Sequence, residues 1–351
     1  MDVPVFGTNE GQITSYNLGQ NKWTAALAYR TFRSFRHFVG DVEQNAENVA
    51  NGTAERDRAG TNVINHVYQP SIAVAYGITD RLSVGADLPY FHAHRRQPGP
   101  PTGPNPTYVT ASAGISDLTV TGRYWLWDPA RKLSSAWNVA VGLGFKLPTG
   151  NDRAEDDFLV RVLADGTRVT EVRPVDQSIQ PGDGGWGIVP EIQAFKRFGR
   201  YTGFASGSYL INPRETNDFN RSGPSANPDT SGALNHLLSI ADQYAVRVGV
   251  ARGFSKSVGA NLGLRWEGTK AHDLIGGSRG RRRPGYTLGL DPGLTYTWKG
   301  ITSSINVPIA IRRVRNQNYS DELQSETTGE HQNGDAAFAD YALILGFSKR
   351  F

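Results

Sequence analysis

The chain has 351 residues, 38% of them apolar, with 40 glycines, a single methionine, no cysteine and a formal charge of +4. That excludes a disulfide framework, a zinc-thiolate centre and a thiol nucleophile, and a modest, dispersed positive charge leaves no footprint for nucleic acid. No apolar run approaches the roughly 20 residues of a membrane helix, and so many glycines and tyrosines with a mean hydropathy of −0.43 speak against a helical fold.

Residues 1–21 are polar and irregular and read as an arm, periplasmic or lumenal, before a single body at 22–351. The start, Met-Asp-Val-Pro, has neither a basic stretch nor an apolar core, so a secretory signal is expected to have been cleaved from it. Trp23, Ala25, Leu27 and Tyr29 then alternate with Thr24, Ala26, Ala28 and Arg30, the period of a strand with one oily face. A polar stretch, Phe38 to Thr61, follows. The next strands, near Asn65 to Ile78 and Leu82 to Phe91, are separated only by Thr79-Asp80-Arg81.

This rhythm of one long and one short connection continues. A loop from His92 to Ala113 leads to strands Asp117 to Trp127 and Ala136 to Leu147, joined by a short turn. The longest loop, Pro148 to Gly184, precedes Trp186 to Lys196 and Tyr201 to Ile211. The loop from Asn212 to Ile240 precedes Asp242 to Arg252 and Ser257 to Glu267. The loop from Gly268 to Pro284 precedes Tyr286 to Trp298 and Ile301 to Arg312. A last loop, Arg313 to Ala336, precedes a closing strand, Asp340 to Phe351, in which Tyr341, Leu343, Leu345, Phe347 and Phe351 share one side. Ending on phenylalanine after such alternation resembles the closing strand of bacterial outer-membrane barrels, although Lys349 stands where those strands usually carry a second aromatic.

About twelve strands of bilayer-crossing length, with every long loop on one end, define the expected fold. It is all-β: a transmembrane antiparallel up-and-down barrel with short periplasmic turns and long extracellular loops. All seven tryptophans fall near strand ends, where their amphipathic rings suit a membrane interface. Trp23, Trp125, Trp127, Trp137 and Trp298 are expected at the turn end, and Trp186 and Trp266 at the loop end.

If the apolar face meets lipid, the other face lines the lumen. Asp87, Asp117, Arg123, Lys146, Glu191, Gln193, Arg247, Arg265, Glu267, Asp291 and Asn306 are then inward. Between them the inner face is sparse, with Ala73, Ala75, Gly85, Gly142, Gly249 and Gly263 among its small residues. The space left is expected to hold water or a plug, from residues 1–21 or from the long loops.

Five short stretches carry a family resemblance. They are Tyr76-Gly77-Ile78-Thr79-Asp80-Arg81-Leu82-Ser83-Val84-Gly85, Asp87-Leu88-Pro89-Tyr90, Gly114-Ile115-Ser116-Asp117-Leu118, Lys146-Leu147-Pro148-Thr149-Gly150 and Gly182-Asp183-Gly184-Gly185-Trp186. Together they resemble the outer-membrane barrels of the family of transporters of the meta-pathway of phenol degradation. The resemblance covers about a third of the chain and implies passage of small organic solutes; no ligand residue carries over from it.

Other chemistry is weaker. His92 and His94 would share a face near Asp87, as two metal ligands or a general base, yet no third member is visible. Asp152, Glu155, Asp156 and Asp157 lack the regular spacing of a calcium loop. Arg279, Arg281, Arg282 and Arg283, with Arg95 and Arg96, lie on the loop side, where guanidinium groups would suit lipopolysaccharide phosphates. The expected function is an integral outer-membrane channel for passive uptake of small organic solutes, aromatic or hydrophobic ones among them. A plugged structural or binding barrel and a loop-side hydrolase are the alternatives. No cofactor or metal is expected, and the oligomeric state is open.

Overall fold

Side-chain alternation decides which face of each strand turns to lipid, and it holds around a closed wall. The computed structural model describes residues 18–45, 47–48, 63–99, 107–128, 136–221 and 233–351, with the backbone of two short strands at 5–6 and 13–14. Twelve antiparallel staves form one closed barrel. They are β1 (Trp23–Val39), β2 (Ile64–Gly77), β3 (Leu82–Pro98), β4 in two parts (Thr107–Ile115 and Leu118–Trp125), β5 (Trp137–Leu147) and β6 (Gly187–Phe198). The circuit continues through β7 (Tyr201–Leu210), β8 (Gln243–Gly253), β9 (Val258–Thr269), β10 (Gly285–Trp298), β11 in two parts (Ile301–Asn306 and Ile309–Arg315) and β12 (Ala336–Arg350). β12 pairs back onto β1, with Leu345 opposite Tyr29, so the sheet closes on itself. The Phe351 amide donates to the Trp23 carbonyl at 2.8 Å and closes the last rung of that seam.

β6 shows the rule most plainly. Val189, Glu191, Gln193 and Phe195 are buried, while Ile188, Pro190 and Ile192 between them are exposed. The outer wall is an apolar belt in which Leu262 is 56% exposed, in company with Leu27, Ile72, Leu143 and Phe145. Such a surface is stable only against lipid, and one charge within it is costly. Leu264→Arg, on the outer face of β9, is expected to cost about 2–4 kcal/mol in reversible unfolding from lipid vesicles. Leu274→Arg, in the exposed loop after β9, is expected to cost almost nothing.

Several boundaries differ from the sequence reading. β1 and β3 each run for 17 residues and stand well above the lipid belt. The expected loop from His92 to Ala113 is therefore largely strand: the alternation persists there, with histidine and arginine where a lipid-facing strand would have leucine. The last long loop holds a helix, α1 (Tyr319–Thr328), started by a reciprocal cap between Asn318 and Asp321. The longest loop holds a hairpin, Glu155–Val162 against Arg168–Pro174. Most of the arm at 1–21 and parts of the long loops lie outside the described residues. The arm's end is tied down, with the Asn21 amide donating to the Gly77 carbonyl at 2.8 Å and the Gln20 amide to Asp80 Oδ1 at 2.9 Å.

Trp125 corrects the tryptophan assignment. It is 4% exposed and turned into the lumen, edge-on to Phe195, because it shares the parity of Arg123 rather than of Tyr124. The other six are at least partly exposed near stave ends, as the interface assignment requires.

β4 is broken. Ile115 faces Tyr90 and Thr119 faces Asp87, so β4 carries one residue more than β3 across this interval and bulges there. Below the break β4 pairs with β5, which ends at Leu147 opposite Leu118. Above it the neighbour is the loop hairpin, where Asp156 accepts from the Ala111 amide at 2.6 Å and Phe158 meets the Tyr108 ring.

Candidate functional site: a capped lumenal cavity

Three stretches far apart in sequence meet at the break in β4. Thr149 Oγ1 accepts from the Leu118 amide at 2.9 Å and donates to the Ser116 carbonyl at 3.0 Å, while the Gly150 amide donates to Asp117 Oδ1 at 3.0 Å. Lys146 reaches Asp117 Oδ2 at 3.3 Å and also pairs with Asp183. Gly150 and Gly182 press backbone to backbone, and a Cβ on Gly182 would lie 2.7 Å from the Gly150 carbonyl carbon. Side chains at these two positions would hold the strands apart.

From this knot the chain turns into the barrel. Asp176 accepts from the Ser178 amide and caps a 3₁₀ turn, Gln177–Ile179, which seats Ile179 fully buried with Val67, Ala93, Ala154 and Val175, against Phe32 and Phe91. Polar ties hold the segment at both ends. Gln177 donates to the Ser239 carbonyl at 2.7 Å, Ser116 Oγ to the Pro181 carbonyl at 2.6 Å, and Ser112 Oγ to the Ile179 carbonyl. Arg283 grips Asp176 with both nitrogens, at 2.7 and 2.9 Å. Burial alone would raise the Asp176 carboxyl, but Arg283 and Arg95 outweigh it and hold the group well below the usual carboxylate range.

Beside this cap lies a lumenal cavity of about 800 Å³. Phe32, Phe91 and Phe338 give it an apolar side, and Arg30, Asp87, Asp117, Lys146 and Glu267 a charged one. Arg30 and Glu267 pair at 2.9 Å. Of the eleven inward residues inferred from alternation, four line this cavity: Asp87, Asp117, Lys146 and Glu267. Arg123 and Glu191 pair at 2.6 Å, with Glu191 lying across Gly142, where a Cβ would come within 2.4 Å of Glu191 Cγ.

The other five make or flank a buried lattice that lines no part of the cavity. Asp291, 0% exposed, accepts from Arg247 at 2.6 Å, Arg265 at 3.0 Å and Asn306 at 2.8 Å, and Asn261 accepts from Arg247 at 2.6 Å. Gln193 is buried on the same side. Trp125, Ala140, Phe195, Phe204 and Ala251 form one apolar cluster there, so the β4–β8 side of the turn-end lumen is packed. On β2 and β3, Ala73, Ala75 and Gly85 are small and partly exposed.

The loop arginines are engaged to different degrees, and Arg279 and Arg96 remain exposed. Arg282 is 1% exposed and held on Asp273 by two bonds of 2.7 Å, Arg283 is on Asp176, and Arg279 is on Glu215 at 2.9 Å. Arg281 sits near Arg283 and Asp176, and Arg95 is buried on the inner face of β3. Parity also separates His92 and His94 from Asp87, which lies on the opposite face of β3; His94 instead stacks on His66, ring centroids 4.6 Å apart. Arg30 and Phe91 lie within strands read from the sequence, and alternation could have flagged Phe32 and Arg95 as well, had those strands been read at full length. Nothing periodic marks Asp176 or Ile179.

These features define a closed, lipid-belted β-barrel with a cavity inside it. No family model matches the sequence, and no curated protein matches it. Among solved structures, the COG4313 outer membrane channel from Pseudomonas putida F1 aligns at a TM-score of 0.58 and 10% identity, over 99% of this chain and 100% of that one. The translocator domain of the autotransporter NalP from Neisseria meningitidis aligns at 0.50 and 11%, over 95% and 89%. The Ralstonia pickettii toluene transporter TbuX aligns at 0.46 and 10%, over 95% and 90%, too low a score to argue from. At such identities the shared property is the outer-membrane barrel fold, which a channel and a translocator domain carry alike.

Proposed function

We propose that the chain is an integral outer-membrane channel for passive uptake of small organic solutes, its short turns periplasmic and its long loops extracellular. The observation that carries this reading is the cavity: a polar and aromatic chamber inside a lipid-belted barrel, capped on the loop side by a segment held there by few contacts. The way onward runs past the small residues of β2 and β3. The likeness to an outer-membrane channel and the resemblance to the phenol-pathway transporters support it. Binding of an organic solute is assigned to the cavity and no catalytic residue is assigned anywhere. Lipid is the partner of the outer wall.

A second reading has its own support. The cap above and the buried lattice below also suit a plugged barrel whose loops are the working surface. Planar-bilayer conductance separates the two, comparing the intact chain with one lacking residues 1–21. The channel reading expects small, steady ionic currents from the intact protein, larger in the truncated one if the arm crosses the turn end. It also expects uptake of small organic solutes by vesicles carrying the protein. Electrical silence in both chains together with impermeable vesicles would overturn it in favour of the plugged barrel.

A further inference from the structure

The cap presents to the wall the two groups of a small amphipathic acid. Asp176 places a carboxylate between Arg283, at 2.7 and 2.9 Å, and Arg95, whose Nη1 is 3.6 Å from Oδ1. Three residues on, Ile179 places a branched hydrocarbon against Val67, Ala93, Phe32 and Phe91. The two seats lie one above the other on one wall. Arg95 is level with Asn65 and Ser34, and Ala93 with Val67 and Phe32, so the charged row and the apolar row are one inward step apart. That step is about 7 Å along a strand, close to the length of a benzoate ion.

The charged seat also has capacity in reserve. Arg281, two residues before Arg283, is half-buried, and its side chain has no hydrogen-bond or ion-pair partner among the described residues. Burial, with Arg283, Arg221 and Arg315 close by, pushes its guanidinium down to about 9. The carboxylates of this arginine cluster are engaged: Asp176 on Arg283 at 2.7 Å, Asp335 on His37 at 2.7 Å, and Asp321 on Arg315 at 2.9 Å. A carboxylate arriving from the loop side meets a partly desolvated cation that no carboxylate yet pairs with directly.

We propose that Asp176 to Ile179 is a built-in stand-in for the solute. The solutes are small amphipathic carboxylates, aromatic or branched, which pair first with Arg281 and then displace Asp176 and Ile179 from their seats. The assignment rests on the channel reading for its role in uptake, but binding itself requires no conduction.

The test is isothermal titration calorimetry on the whole chain in detergent micelles, with benzoate, its neutral counterpart benzyl alcohol, and inorganic phosphate as probes. Removing the internal competitor with Asp176→Asn and Ile179→Ala together should tighten benzoate binding about tenfold, because the competent fraction of the protein rises. Arg281→Gln should weaken it by a similar factor. Benzyl alcohol and phosphate, each lacking one of the two groups, should bind far more weakly. A heat-dependent shift in gel mobility, unchanged from the parent chain, certifies each variant as folded. Where the double variant lowers that shift, each single variant is titrated instead, with tighter benzoate binding again required. Equal or weaker benzoate binding by the folded competitor-free variants overturns the proposal, as does phosphate binding as tightly as benzoate. Benzoate binding with the expected pattern in an electrically silent, impermeable barrel would uphold this site while removing the channel.

Discussion

Excising Gln177 to Gln180 and bridging the gap with two glycines is expected to raise single-channel conductance several-fold over the intact chain. The cap is held to the wall at a few named points: one bidentate ion pair, one buried isoleucine, and hydrogen bonds from Gln177, Ser112 and Ser116. The excision removes the isoleucine, the Gln177 bond and the Ser112 bond together. It leaves the β4 knot intact, because Asp117, Lys146, Thr149 and Gly150 are untouched and Gly182 still reaches the Asn151 carbonyl at 3.0 Å. The barrel should therefore keep its heat-dependent gel shift while its lumen opens. Unaltered conductance would place the constriction at the packed turn end instead.

Acid should loosen the same cap, and the direction follows from Asp176. Its folded pKa is depressed, so the ion pair stabilises the capped state fully above the unfolded carboxylate value of about 3.9 and is lost as pH falls through the lower folded value. Conductance is expected to be flat from pH 7 to about pH 4 and to rise only in stronger acid. In Asp176→Asn the rise should vanish and the neutral-pH current should already be elevated. An increase centred near pH 6 would point to histidine and away from this carboxylate.

The barrel was legible because its rule is local. Each of Glu191, Gln193, Arg247, Arg265 and Asp291 declares its face by the residues one step away, so a short window of sequence suffices. The stave ends were less so. Above the lipid the outer face of β3 no longer needs to be apolar, and His92, Ala93, His94, Arg95 and Arg96 look like a loop although they alternate as a strand. The cap and knot were illegible for a different reason. Ser116, Thr149 and Gly182 meet only because β4 is bulged and β5 stops at Leu147, and neither event has a periodic signature. The resemblance blocks did mark all three stretches, without revealing that they form one structure. Charge on a loop does not by itself disclose exposure: Arg282 is spent on Asp273 and Arg283 on the cap, while Arg279 stays exposed on Glu215.

Asp291→Asn is expected to destabilise the barrel by about 3–5 kcal/mol, read from reversible urea unfolding in lipid vesicles. The carboxylate joins two guanidinium groups that have almost no access to water, Arg247 on β8 and Arg265 on β9. Removing its charge leaves both cations facing each other in a low-dielectric interior. The bonds to Asn306 and the packing around it are nearly unchanged by so small a substitution, so the loss is electrostatic rather than steric. Replacing the whole trio with Arg247→Met, Arg265→Met and Asp291→Leu should recover most of the loss, because no buried charge is then left uncompensated. Recovery would mean that the lattice stiffens one side of the lumen without being essential to closure. It would also give a barrel in which this stretch of the wall carries no charge. Failure of the trio to recover would mean that the geometry of Arg247, spanning Asp291 and Asn261, positions β8 and β9 in a way that apolar packing does not reproduce.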